Sequence, residues 1–221
     1  MPSRTIENYL KQLYLSQDAT PGKIIPMGKL AASMGVVPGT ATTMVKALAD
    51  SGLVDYAPRD GVALSPAGRQ LALHVLRRHR LLELFLVKVL ALDWSEVHDE
   101  AEELEHAVSD KVLARIDALL GHPETDPHGD PIPTSKGQVA SDTFANLADS
   151  PLDLSMRIVR ILDQSPTFLK FARDSGLTPG SPLTVRSRSQ MADALEVRPK
   201  GKPALTLSRT VAAKFLVEPQ Q

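Results

Sequence analysis

Residues 27–64, MGKLAASMGVVPGTATTMVKALADSGLVDYAPRDGVAL, divide into two short helical runs around a tight turn, followed by two β-like runs around a second turn. MGKLAASMG is the first helical run, and Val37-Pro38-Gly39-Thr40 makes the turn. TATTMVKALADSGL is the second, with Met44, Val45, Leu48 and Leu53 apolar and Gly52 at its end, where a residue free to take positive φ commonly stops a helix. VDYAPRDGVALS then reads as two short strands about an Arg-Asp-Gly turn. Upstream, Ile6, Tyr9, Leu10, Leu13 and Tyr14 recur at three and four residues, the spacing of one buried helix face over residues 5–15. Helix, helix, turn, helix and a two-stranded wing are the parts of a winged helix-turn-helix, expected over residues 1–74.

Downstream, Pro66 suits a helix start, and residues 66–92 are too rich in Leu and Val for a single apolar stripe. A second helix is expected over 95–120, with Val97, Ala101, Leu104, Val108 and Val112 apolar. Two such helices suit a dimer interface or the core of one monomer, and periodicity alone does not separate the two. They define a helical dimerisation and metal-binding segment, 75–140. The Gly, Pro, Asp and Ser of 121–154 read as loop, with a short helix expected near 143–147 and a linker at 141–154. Beyond it MRIVRIL, PLTVRS, ALEVRP and ALTLS alternate as strands do, with PTFLKFARDSG helical between the first two, so a small β-barrel is expected over 155–221. The fold class is mainly α with a small β domain.

The 221 residues are 43% hydrophobic, enough for two or three small cores. No apolar run approaches the roughly 20 residues that span a bilayer, and the polar start MPSRTIENYLKQ lacks the apolar centre of a secretion signal, so no membrane association and a cytoplasmic location are expected. Cysteine is absent, which excludes disulfides, thiolate nucleophiles, iron–sulfur clusters and Cys-rich zinc sites. Any metal must rest on oxygen and nitrogen, donors suited to harder or borderline divalent ions. The net charge of −1 conceals segments of +5 over 1–80, −11 over 81–150 and +5 over 151–221. A basic first segment suits a phosphate backbone, and an acidic middle suits a cation or, more plainly, a solvated helix face.

The acidic segment contains VHDEAEELEHAVSD, in which His98, Glu102, Glu105 and His106 stand at i, i+4, i+7 and i+8 and would share one face beside the apolar stripe. Ionisable groups at a core margin need partners, and a divalent cation would offset their repulsion and desolvation. His79 and Glu83 are one turn apart on the preceding helix, a spacing that by itself describes an ordinary surface pair. Asp126 and His128 flank a stiff proline in DPHG, where a rigid turn is the plainer reading.

For DNA, Pro38, Gly39, Thr40, Thr42 and Thr43 open the second short helix with small polar groups and backbone N–H, as a recognition helix does. Lys29, Lys46 and Arg59 would touch phosphates and position the domain without reading sequence.

TIENYL, GLV with LSPAGRQLA, RRHRLLELFL, VHDEAEELEHAVSD and HGDPIPT together resemble the diphtheria toxin repressor and manganese transport regulator family over essentially the whole chain. The resemblance implies a winged helix-turn-helix, a helical dimerisation domain and a third, SH3-like domain. It implies a primary metal site at Asn8, Glu102, Glu105 and His106. It implies a second site at His79, Glu83 and His98, or, as in streptococcal-type members, at Glu83, Asp126, His128 and a third-domain carboxylate placed at Asp163. Iron-sensing members tend to carry sulfur where Glu102 stands, so the oxygen donor points to manganese, with ferrous ion as the alternative. The implied function is metal-dependent repression of metal-homeostasis genes by a homodimer on a palindromic double-stranded operator, with no enzymatic activity. A carboxylate-bridged metalloenzyme would need two Glu-x-x-His motifs on separate helices, and only Glu103 with His106 spells one.

Overall fold

The computed structural model describes residues 3–17, 22–140 and 143–220. Two compact units result: one of residues 1–79, 105–108 and 133–139, the other of 80–104, 109–132 and 140–221.

The first unit holds α1 (Arg4–Gln17), α2 (Met27–Ser33), α3 (Pro38–Asp50), the strands β1 (Val54–Ala57) and β2 (Gly61–Leu64), and the start of α4 (Pro66–Lys88). Pro38 opens α3, where its missing N–H is one the helix start would leave unpaired in any case. Gly52 leaves that helix at φ +70°. β1 and β2 pair antiparallel from Val54 opposite Leu64 to Ala57 opposite Gly61, closing the wing. The wing is tied down by reciprocal backbone bonds between Ile25 and Val62 of 2.8 and 3.0 Å. Tyr9, Leu10 and Leu13 of α1, Leu30 of α2, Val45 and Leu48 of α3, Val62 of β2 and Leu73 and Leu76 of α4 form one core. α1 and α3 therefore share a packed interior. Residues 133–139 return along α4, where Arg77 donates to the carbonyl of Pro133 (2.7 Å) and Gln70 to that of Lys136 (3.2 Å).

In the second unit the helix expected over 95–120 is two helices, α5 (Val97–Leu104) and α6 (Asp110–Leu119). Ser109 caps α6, its hydroxyl oxygen accepting from the amide of Val112, so the chain restarts there. The shared face expected of His98, Glu102, Glu105 and His106 is thereby corrected: the first two lie on α5, the last two in the turn after it. α4 likewise ends at Lys88 rather than at 92.

The remainder is an α+β domain. β3 (Ala145–Asn146), β4 (Ser155–Ile161), β5 (Pro182–Ser189), β6 (Ala194–Pro199), β7 (Leu205–Ser208) and β8 (Phe215–Pro219) form a sheet in the order β3-β8-β4-β5-β6-β7, with α7 (Pro166–Asp174) and α8 (Arg209–Ala212) beside it. The expected class stands, but among the described residues the sheet is open and not closed into a barrel. The helix expected at 143–147 is β3 and a 3-10 turn, Leu147–Asp149, capped by Asn146. Leu147 and Ala148 are buried in this domain's core, so part of the expected linker is structural. Alternate residues Met156 and Ile158, Leu183 and Val185, Leu195 and Val197, and Phe215 and Val217 face that core, where Phe168, Leu169 and Ala172 of α7 also lie. No helix among the described residues is long and apolar enough to cross a membrane.

Candidate metal centres and nucleic-acid face

In the first unit, α1 carries Glu7, Asn8 and Lys11, α4 carries Arg78 and His79, and the turn after α5 carries Glu105 and His106. Nδ1 of His106 lies 2.5 Å from Oε2 of buried Glu7. A carboxylate only accepts, so Nδ1 carries a proton, and in the neutral imidazole the lone pair is then on Nε2. That Nε2 is buried, makes no hydrogen bond, and stands 3.3 Å from Oε1 of Glu105. Asn8 Oδ1 is a second buried acceptor without a hydrogen-bond partner. Glu105 itself is 0% exposed, with Oε1 2.6 Å from Nζ of Lys11 and Oε2 2.6 Å from Nδ1 of His79. Arg78 approaches the other oxygen of Glu7 at 3.7 Å. A carboxylate oxygen and an imidazole nitrogen this close can serve one cation together, and the donors present are oxygen and nitrogen throughout. This set fits a divalent cation held by oxygen and nitrogen donors.

The second unit gathers Glu83, Asp126 and His128, all buried, with ligand atoms within 4.8 Å of one another. His128 shows the same logic in mirror image. Its Nε2 donates to the carbonyl of Trp94 (2.9 Å), which leaves the lone pair on Nδ1. Nδ1 is buried without a hydrogen bond, 3.9 Å from Oε2 of Glu83 and 4.0 Å from Oδ1 of Asp126. The Trp94 ring stacks on the imidazole with centroids 5.5 Å apart. Asp126 Oδ1 accepts the amides of His128 (2.8 Å) and Asp130 (3.0 Å), holding the loop in a tight turn. Burial pushes the Asp126 carboxyl well up from the ordinary carboxylate range, and the neighbouring carboxylates of Asp130 and Glu83 push it further; Arg80 opposes them. The loop is fastened to β4 by the amide of Ile161 on the carbonyl of His128 (2.9 Å) and by the ion pair of Arg160 with Asp130.

The other expected ligands distribute as follows. His98, half exposed, has Nδ1 3.3 Å from Oε1 of Glu83 and Nε2 3.9 Å from Oε1 of Glu102. His79 is bonded to Glu105, as above. Asp163 lies outside the Glu83–Asp126–His128 group, its oxygens taken by Lys214 (2.6 Å) and the amide of Ser165 (3.0 Å). Sequence reasoning passed over Glu7, Lys11 and the carbonyl of Trp94. Glu7 sits in the quoted TIENYL, yet nothing local marks an acid whose partner is 99 residues away.

For the nucleic-acid face, Pro38, Gly39, Thr40, Thr43 and Lys46 are exposed along the first turns of α3, and Thr42 is half-buried. The hydroxyls of Thr42 and Thr43 turn back onto the carbonyls of Pro38 (2.8 Å) and Gly39 (3.1 Å). They can still accept a hydrogen bond while donating inward. No acidic residue stands in that first turn to repel a phosphate. Lys29 and Arg59 are exposed, the latter at φ +76° at the tip of the wing.

Three comparisons bear on this arrangement. Residues 1–62 match the iron dependent repressor N-terminal DNA binding domain, 65–134 the iron dependent repressor metal binding and dimerisation domain, and 146–219 the FeoA domain. The chain is 30% identical over 227 residues to the iron-dependent repressor IdeR of Mycobacterium leprae, covering 97% of this chain and 96% of that one. It is 32% identical over 166 residues to the diphtheria toxin repressor of Corynebacterium glutamicum, 71% of each. A solved manganese-dependent transcriptional repressor in complex with manganese superposes with a TM-score of 0.86 at 38% identity, over 97% of this chain and 100% of that one.

Proposed function

The chain belongs to the family of iron-dependent and diphtheria toxin repressors, and from that premise we propose that manganous ion is its effector and Glu105 with His106 the heart of its sensing site. It is a metal-dependent, DNA-binding transcriptional repressor and not an enzyme. The observation that carries the site reading is the unpartnered Nε2 of His106, held by Glu7 and aimed 3.3 Å from Oε1 of Glu105. Asn8, whose Oδ1 is unpartnered, joins the proposed set, to which the family resemblance adds Glu102; Glu83, Asp126 and His128 form a proposed second set, with His98 beside Glu83. An all-oxygen-and-nitrogen donor set favours manganese, the weakest binder of the first-row series, because no thiolate is present to select softer ions.

A bound divalent ion would place positive charge against the facing carboxylate and imidazole. The residues do the rest. Asn8 stands on α1, whose Leu10 and Leu13 pack with Val45 and Leu48 of α3 in one core. Holding Asn8 therefore holds the recognition helix, and effector couplings of this kind amount to about 1 to 3 kcal/mol. In the proposed homodimer two such helices meet successive major-groove faces of a palindromic operator, in the cytoplasm, and control metal-uptake genes.

Fluorescence anisotropy of a labelled promoter with manganous, ferrous and zinc ions at matched free concentrations tests the effector. Manganese should promote binding at the lowest occupancy-matched level, and Glu102→Cys should shift the preference toward the softer ions. A wild-type response to ferrous ion alone would replace manganese by iron in this reading.

A further inference from the structure

The ammonium of Lys11 lies inside the candidate sensing site, on one of its carboxylates. Lys11 and Glu105 are both buried, with side-chain exposures of 8% and 0%, and Nζ is 2.6 Å from Oε1. That oxygen is the one 3.3 Å from the unpartnered Nε2 of His106. The ammonium thus sits on the same oxygen that faces the imidazole lone pair, while the other oxygen of Glu105 is held by His79. We propose that Lys11 is a resident counter-cation for Glu105 which the effector ion must displace, so that this lysine sets the ion concentration at which the repressor responds. The inference rests on the site reading given above.

A fully buried carboxylate without a compensating charge is strongly disfavoured, and breaking a buried ion pair leaves that penalty exposed. Without metal, Lys11 supplies the compensation and keeps the turn at 105–106 against α1. With a dication on Oε1 of Glu105, the ammonium would add a further positive charge to one oxygen in a poorly screened interior. Lys11 has the means to leave: its charge is on a flexible four-carbon stem, and a lysine ammonium is strongly hydrated once in water. Lys11 is one turn from Glu7 and next but two to Asn8, so its release and the capture of Asn8 are events of the same helix. The competition lowers the ion affinity of the apo site and makes the exchange of one cation for another the step that repositions α1.

The test uses the full chain as wild type, Lys11→Gln, Lys11→Arg and Glu105→Gln. Manganous ion is titrated against each and followed by the electron paramagnetic resonance of the free aquo ion, and the chelated proteins are melted by circular dichroism. Lys11→Gln should bind manganese tenfold or more tighter than wild type while its chelated form melts lower, because the placeholder is gone and Glu105 is uncompensated. Lys11→Arg should restore the chelated melting temperature and return the affinity toward the wild-type value. Equal or weaker manganese binding by Lys11→Gln, with Glu105→Gln losing the ion, would overturn the Lys11 proposal and leave the site intact. Undiminished binding by Glu105→Gln would overturn the site reading and this proposal together.

Discussion

His106 Nδ1 and Glu7 Oε2 lie 2.5 Å apart across 99 residues of sequence, and this bond decides which nitrogen of the imidazole can serve a ligand. An acid on α1 sets the chemistry of a turn after α5.

Glu7→Ala should therefore cost about 10- to 100-fold in manganese affinity, the usual effect of deleting the acceptor behind a ligating histidine. Glu7→Gln should lose less, since its amide oxygen can still accept from Nδ1. Manganese titration of the two variants measures this, and equal affinities in both and in wild type would show that Glu7 does not orient His106.

Asp126 carries a pH prediction. Burial, then the carboxylates of Asp130 and Glu83, raise its folded pKa above the unfolded one, so the folded protein binds the extra proton. This group's contribution to stability is present below the unfolded value and is lost as pH rises through the folded one. The chelated wild type should thus lose stability from about pH 4 upward relative to Asp126→Asn, whose amide oxygen can still take the two backbone amides. Manganese affinity at this group should run the other way and rise with pH as the proton is released. Chelated melts of both proteins across pH check the first part, and parallel curves would refute it.

Gly129 stands at φ +89° in the same loop, and a Cβ there would fall on the carbonyl oxygen of Val159 in β4. Gly129→Ala should destabilise the fold by about 2 kcal/mol or more, through strain at positive φ and through the clash. Thermal unfolding reads the loss; a variant as stable as wild type would mean that the loop and β4 are not held as described.

On the DNA face, exposed Lys46 should act as a phosphate contact. Lys46→Ala should weaken binding about equally for operator and unrelated duplex and lower the slope of log K against log salt by about 1. A loss confined to the operator would instead make Lys46 a base reader.

The winged helix-turn-helix was legible because its punctuation is local: Pro38, Gly52 and the Arg59-Asp60-Gly61 turn announce each boundary. The break between α5 and α6 was hidden because the apolar positions Val97, Ala101, Leu104 and Val108 continue a helical period into a segment that the Ser109 cap interrupts. β8 was missed although Phe215 and Val217 alternate into the core, because it follows the short helix α8 and has no flanking turn signal of its own. In the site, residue types and spacing pointed to Glu105 and His106 and the family resemblance to Asp126 and His128, whereas Glu7, Lys11 and the Trp94 carbonyl depend on long-range packing that no window of sequence displays. The environment of Glu105 also bears on how to mutate it. Truncation to alanine would strand a buried ammonium and a buried imidazole, so glutamine is the substitution that removes the charge and keeps the packing.

In the proposed mechanism a divalent ion at Glu105 and His106 switches the protein onto DNA. The direct measurement is anisotropy of a labelled promoter fragment with wild type and Glu105→Gln, each first in chelator and then with manganese. Wild type should bind only after manganese is added and Glu105→Gln should bind in neither condition while keeping its circular dichroism spectrum. Binding by chelated wild type as tight as with manganese, or a full manganese response from Glu105→Gln, would contradict the account.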